Sequence, residues 1–282
     1  MKIGFNLLLW SASITPERAD LFAKMKGVGY DGVEMFLGLP EVSDYQQLAP
    51  VLKDHGLGAT TVTCPPPEAN PVSPEPAARQ KGLDHMKWAI DATAAMDGEV
   101  LGGPFHSAYA IFTNKAPTED ELRWSCDVMR EAAEYAQQAG ITLATEPINR
   151  FECYLLNTSA QARRMADLVD MPNFGYLYDT HHAHIEEKDI AAAISTGGSA
   201  IKHVHISEND RGAPGTGLVD FETNFAALKQ IDYDGWMTIE AFSTDDPDFA
   251  GMIHVYRDYD PPETIYAGGY QFIKTMLAKH FG

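Results

Sequence analysis

Cysteine, positive charge and long apolar runs are all scarce in this chain of 282 residues, and each shortage narrows what it can be. The three cysteines, Cys64, Cys126 and Cys153, are odd in number and widely spaced. They build no disulfide framework and fit a reducing compartment. Lys and Arg together number 21 against 40 Asp and Glu, a formal charge of −19. A field of that sign repels phosphate backbones and anionic bilayers, so neither nucleic acid nor membrane is expected as a partner. The apolar run in "MKIGFNLLLWSAS" is too short to span a bilayer. It is short for a signal peptide too and reads better as a first strand, which makes a cytoplasmic location the expectation. No Gly-rich dinucleotide fingerprint follows that strand, which counts against a doubly wound sheet.

What the chain has is a hydrophobic fraction of 45% and a regular alternation of strand-like and helix-like segments. Strands are expected over 2–10, 30–37, 57–65, 98–106, 141–149, 174–182, 201–208 and 235–242. Amphipathic stretches lie between them, such as 118–140 and 220–233. The former opens on Thr118 with acids in its first turn and closes at Gly140, a matched pair of start and stop signals. Eight such repeats over this length predict an α/β fold, a single (β/α)₈ TIM barrel occupying 1–282 as one domain. No linker, low-complexity tract or internal repeat divides it.

In such a barrel, functional groups sit at the C-terminal ends of the strands. The fifth expected strand ends in Glu146, the sixth in Asp179, the seventh in His205 and the eighth in Glu240. The intervals of 33, 26 and 35 residues each amount to roughly one βα unit. For any one acid, a helix cap or solvated loop is an equal explanation. Four in succession point to a site. Strand alternation agrees: with Glu146, His205 and Glu240 facing inward, Leu143, Val204, Ile206, Met237 and Ile239 face the helices. The sixth strand is less clean, because Tyr176 and Tyr178 would then face the helices. Three carboxylates and one imidazole, with no thiolate, suit Mn²⁺, Mg²⁺ or Co²⁺ better than a structural Zn²⁺.

Four segments, "EPINRFE" (146–152), "YDTHHAHIEE" (178–187), "HVHISENDRGAPGTG" (203–217) and "IEAF" (239–242), with "VYRD" (255–258) near the end, resemble the ketose 3-epimerases. These act on D-tagatose, D-psicose (allulose) and L-ribulose and belong to the xylose-isomerase-like barrels. The likeness is close in the second half of the chain and general in the first. It implies that Glu146, Asp179, His205 and Glu240 bind a divalent cation, most often Mn²⁺. It also implies that Glu152, His182 and Arg211 hold substrate oxygens, and that Glu146 and Glu240 are the catalytic acid and base. A homodimer or homotetramer acting on a small sugar is implied as well. His181 and His184 receive no chemistry, and His203 is expected to be a satisfied interior histidine. His181 stands where the family usually has Phe, and Ser207 where Gly is common. The segment 102–113, which should help line the sugar's far end, follows no close family pattern, and neither does 242–254.

Other readings of the same barrel are an aldose–ketose isomerase of the hydroxypyruvate isomerase type, or an enzyme of a larger keto-glycoside. A lyase, a metal-dependent nuclease and a non-catalytic sugar-binding protein are further off. The acidic balance opposes the nuclease, and the lack of a phosphate loop at a helix N-terminus favours free sugar over sugar phosphate.

Overall fold

Eight short strands, apolar enough to be buried on both faces, cannot bear water on either side and pair with one another in parallel. The computed structural model describes residues 1–282. Its strands are β1 (Lys2–Asn6), β2 (Gly32–Phe36), β3 (Gly58–Val62), β4 (Val100–Gly103), β5 (Thr142–Thr145), β6 (Phe174–Asp179), β7 (Ile201–Ile206) and β8 (Trp236–Ile239). Each pairs in parallel with its neighbour in sequence, and β8 closes on β1. The barrel expected from the alternation is the barrel observed. Its strands are shorter than their apolar signals, because the backbone turns as soon as it reaches the rim. Residues 7–9 coil into a 3₁₀ turn after β1, and Thr180–Glu186 forms a helix where an extended strand was expected.

The expected helix at 118–140 runs over Glu119–Gln138. Thr118 and Glu121 close a reciprocal capping box at its start, and Gly140 takes up the left-handed conformation just beyond its end. The stretch at 220–233 forms Phe221–Gln230 behind an Asp220 cap. A continuous apolar layer between barrel and helices contains Leu143, Val204, Met237 and Ile239, with both Tyr176 and Tyr178. The tyrosines do face outward. Tyr178 donates its hydroxyl hydrogen to Asn224 Oδ1 at 2.7 Å, which lets a polar side chain sit in that layer. No helix is long and apolar enough to cross a membrane.

The barrel floor is filled by one large ring. Trp236 rises from β8 beneath a row of three glycines in register, Gly4, Gly32 and Gly58. A Cβ on Gly32 would stand 2.5 Å from Trp236 Cη2 and 2.6 Å from the Gly58 carbonyl oxygen. Three missing side chains on β1 to β3 make room for the indole, whose Nε1–H reaches Glu99 at 3.1 Å. Gly32→Ala therefore overpacks the floor and should lower stability by about 1–3 kcal/mol in urea unfolding. Gly27→Ala lies in the helix Ala19–Val28 with open space around it and should raise stability by about 0.4–1 kcal/mol. Equal effects of the two substitutions would refute the packing account.

Candidate metal centre

The four groups read from the strand ends meet. One ligand atom from each of Glu146, Asp179, His205 and Glu240 lies within 4.8 Å of the others, and all four residues are buried. Glu146 and Glu240 follow β5 and β8 directly, where the chain leaves the barrel but still points inward. Asp179 ends β6 and does two jobs. Its Oδ1 accepts the His181 backbone N–H at 2.6 Å and caps the short helix, while Oδ2 faces the cluster. The cap is made by one oxygen of this residue while the other stands in the cluster.

Thr180 locks the corner beside it. Its hydroxyl donates to the Ser207 carbonyl at 2.7 Å and accepts the Ser207 N–H at 2.8 Å, which ties the end of β6 to the end of β7. Ser207 then donates its own hydroxyl to Asp179 Oδ2 at 3.2 Å, a bond that glycine at this position could not make.

Arg211 is the cation of the site. Its Nη1 donates to Asp179 at 2.9 Å and to Glu240 at 2.8 Å, and its guanidinium stacks 4.8 Å from the Phe242 ring centre. The backbone there is left-handed, with φ of 66°, held by the Arg211 N–H on Glu208 and by the Phe242 N–H on the Arg211 carbonyl. A non-glycine residue in that region is uncommon and belongs with sites that over-determine their loops.

His182 lies beside Arg211. Its Nδ1 accepts the Asn149 backbone N–H at 3.2 Å, and its Nε2 faces the guanidinium. That nitrogen is 3.1 Å from Arg211 Nη2 and 3.6 Å from Glu146 Oε1. Burial and the Arg211 charge push His182 well below its ordinary value, so the ring is neutral. The guanidinium, whose nitrogens can only donate, thus ties this imidazole to the edge of the cluster. Glu152, half-buried, lines the same cavity, and burial raises its carboxyl above the usual range against the opposing pull of Arg211.

The electrostatics of the cluster are unequal. Burial and the neighbouring charge of Glu240 push Glu146 well above the carboxylate range. Burial alone would raise Glu240 as well, but His205 and Arg211 outweigh it and hold Glu240 low.

Glu34 went unnoticed in the sequence. It sits on β2 with no exposed surface and accepts hydrogen bonds from His205 Nε2 at 2.6 Å, Thr60 at 2.9 Å and Asn6 at 3.0 Å. His203, expected to be a satisfied interior histidine, has Nε2 2.8 Å from the second oxygen of Glu34, but neither ring nitrogen makes a hydrogen bond. A lone acid in the apolar strand "GVEMF" was the signal available. His184 is exposed, whereas His181 lines the cavity, donates its Nδ1–H to the Glu208 carbonyl at 3.1 Å, and is pushed down to about 3 by burial and Arg211.

About 240 Å³ of space opens above the cluster. Its outer wall is apolar, built from Leu8, Phe36, Phe242, Phe249, Ile253 and Val255. The segment 242–254 thus supplies most of the far end, and 102–113 contributes only Pro104 and Tyr109.

A family model described as a xylose isomerase-like TIM barrel matches residues 22–276. A ketose 3-epimerase of Arthrobacter globiformis is 33% identical over 98% of this chain and 97% of its own. The chain belongs to the ketose 3-epimerases of the xylose isomerase-like TIM barrel family. Members of that group are isomerase-class enzymes, and this chain is one of them. An L-ribulose 3-epimerase of a Methylomonas species is 32% identical over 97% of both chains. The solved structure of an L-ribulose 3-epimerase superposes with a TM-score of 0.93 at 29% identity, covering 99% of this chain and 95% of that one.

For this epimerase the Thr180 clasp makes a direct prediction. Thr180→Val keeps the shape but leaves the Ser207 N–H and C=O buried without partners. It should cost about 1–3 kcal/mol in urea unfolding. A midpoint equal to that of the parent would show that the clasp contributes nothing.

Proposed function

We propose that this chain is a metal-dependent epimerase that inverts C3 of a free ketose of the tagatose, psicose (allulose) and ribulose class. Glu146 and Glu240 would serve as opposed acid and base. The observation that carries the reading is the convergence of those two glutamates on one Asp–His centre, with the hydrogen-bonded pair Arg211 and His182 beside it.

The residues fit a divalent ion. Glu146 Oε1 and His205 Nδ1 are buried and have no hydrogen-bond partner, and both point into the cluster. Three converging carboxylates repel one another, and a dication relieves that repulsion where one guanidinium reaches only two of them. Oxygen-rich ligation with one imidazole supports Mn²⁺, with Mg²⁺ or Co²⁺ as the nearest substitutes. Glu146, Asp179, His205 and Glu240 would hold it. When bound, the ion supplies Lewis-acid polarisation of the ketose carbonyl.

The chain's own groups then carry the proton. A glutamate carboxylate on one face removes the proton at C3 and leaves a cis-enediolate. Arg211 would donate to the oxygen on which negative charge grows, with His182 held beside it. The glutamate on the other face returns a proton to C3 and inverts it, and the two exchange roles in the reverse direction. Glu152 would bind a sugar hydroxyl. A homodimer or homotetramer in the cytoplasm completes the reading, supported by the family resemblance and by the scarcity of cysteine.

Glu240→Gln keeps an oxygen for the ion but loses the basic carboxylate. We expect kcat to fall about 10²–10⁴-fold, with loss of C3–H exchange into D₂O from at least one epimer. Label appearing at C1 or C2 in the parent enzyme would replace the epimerase with an aldose–ketose isomerase. Stripping the protein with a chelator should abolish turnover of D-psicose, D-tagatose and L-ribulose alike, and Mn²⁺ should restore it. Undiminished turnover in protein shown to be metal-free by elemental analysis would end the proposal.

A further inference from the structure

We propose that Glu34 is the positioning residue of the centre: it holds the Nε2–H of His205, so that Nδ1 presents its lone pair to the three carboxylates. The inference rests on the metal reading above.

A carboxylate has no proton to give and about four lone-pair sites to fill. On Glu34 these are taken up pairwise. Oε1 accepts from His205 Nε2 at 2.6 Å and from Asn6 Nδ2 at 3.0 Å. Oε2 accepts from Thr60 Oγ1 at 2.9 Å and lies 2.8 Å from His203 Nε2. With an acceptor at 2.6 Å, Nε2 keeps its proton when a cation takes the place of any proton on Nδ1. The other nitrogen is then left facing Glu240 Oε1 at 3.5 Å, Asp179 Oδ2 at 3.9 Å and Glu146 Oε1 at 4.0 Å. It has no hydrogen-bond partner of its own. Metal-bound histidines are oriented in this way by a carboxylate on the far nitrogen, and removing that carboxylate weakens metal binding.

Register makes the arrangement rigid. Asn6, Glu34 and Thr60 are direct neighbours across β1, β2 and β3, two residues above the glycine row that seats Trp236. The Asn6 amide cannot flip, because its Oδ1 accepts the Leu8 N–H at 2.9 Å. Its Nδ2 therefore spans Glu34 and Glu240 Oε1, the latter at 3.3 Å. Through this one amide, Glu34 also bears on the aim of the second glutamate.

Glu34, His203 and His205 are close enough to suggest a second ion of their own. The hydrogen bonds from Asn6 and Thr60 already occupy the carboxylate, so one ion per chain is expected.

The test is metal affinity, measured apart from turnover. Glu34→Gln should weaken Mn²⁺ binding about 10–100-fold in calorimetric or competition titration, at a stoichiometry of one in the parent. Equal affinity in variant and parent, or two ions per parent chain, overturns the inference. No binding to the parent at all would instead sink the metal reading beneath it. Should the variant fail to fold, the unaltered chain carries the same test. Long-range proton–nitrogen spectra of ¹⁵N-histidine-labelled protein, with diamagnetic Cd²⁺ as the probe, should show His205 protonated at Nε2 and coordinated at Nδ1. A proton on Nδ1, or coordination through Nε2, refutes the assignment.

Discussion

Like charge crowded out of water is the constraint on which this molecule turns. Two carboxylates about 4 Å apart repel by about 4 kcal/mol even at an effective dielectric of about 20. The cluster of Glu146, Asp179 and Glu240 is buried, so the penalty is comparable with the whole stability of an ordinary domain. Arg211 relieves Asp179 and Glu240 and leaves Glu146 without a hydrogen-bonded cation. That imbalance drives Glu146 up and Glu240 down, and it makes the centre a receptor for positive charge. A fold optimised only for stability would not assemble such a group. Its presence is itself an argument that the barrel's core was arranged to perform chemistry.

The barrel tolerates the strain because it distributes it among stiff elements. Each member of the cluster hangs from a different strand end, and adjacent ends are tied by bonds that involve no cluster atom, such as the Thr180–Ser207 clasp. Beneath them the interior changes character layer by layer. Trp236 packs against glycines on the floor, and the row Asn6–Glu34–Thr60 forms a polar layer above it. The carboxylates crown the rim. Apolar packing below fixes strand positions to within a side chain's tolerance, and the polar layer converts that precision into directed hydrogen bonds.

Much of this was legible in the sequence, for physical reasons. Period-two strands and spaced helices write the barrel plainly, and metal-competent side chains about one βα unit apart meet when the strands close. Asp179, His205 and the two glutamates were therefore readable. Glu34 was not, because it lies in the first half, inside a strand rather than at its end, and its partners are spread over β1, β3 and β7. Its meaning is a matter of register, which a single strand does not disclose. The helix over Thr180–Glu186 was hidden for a related reason: the Asp179 cap that starts it reads as a site residue, and one side chain was doing both tasks. The tyrosines of β6 looked out of place until Asn224 supplied a partner for one of them across the helix layer.

The division between rim and wall has a consequence for selectivity. The polar centre comes from strand ends that cannot move without opening the barrel. The outer wall comes largely from the segment after β8, whose helix Pro247–Met252 leans Phe249 against Phe36 and Phe242. A wall of this kind reads a sugar's far end by shape more than by directed hydrogen bonds. Apolar surfaces discriminate weakly among molecules that differ by one hydroxyl, on the order of 10²-fold, whereas a site that must fill a buried donor discriminates far more strongly. Under the proposed chemistry, Arg211, His182 and Glu152 would impose strict demands on the carbons around the reacting centre. The distal carbons would meet only a volume limit. Under that proposal, the geometry that would fix where the proton moves leaves the length and branching of the ketose to an exchangeable strip of chain.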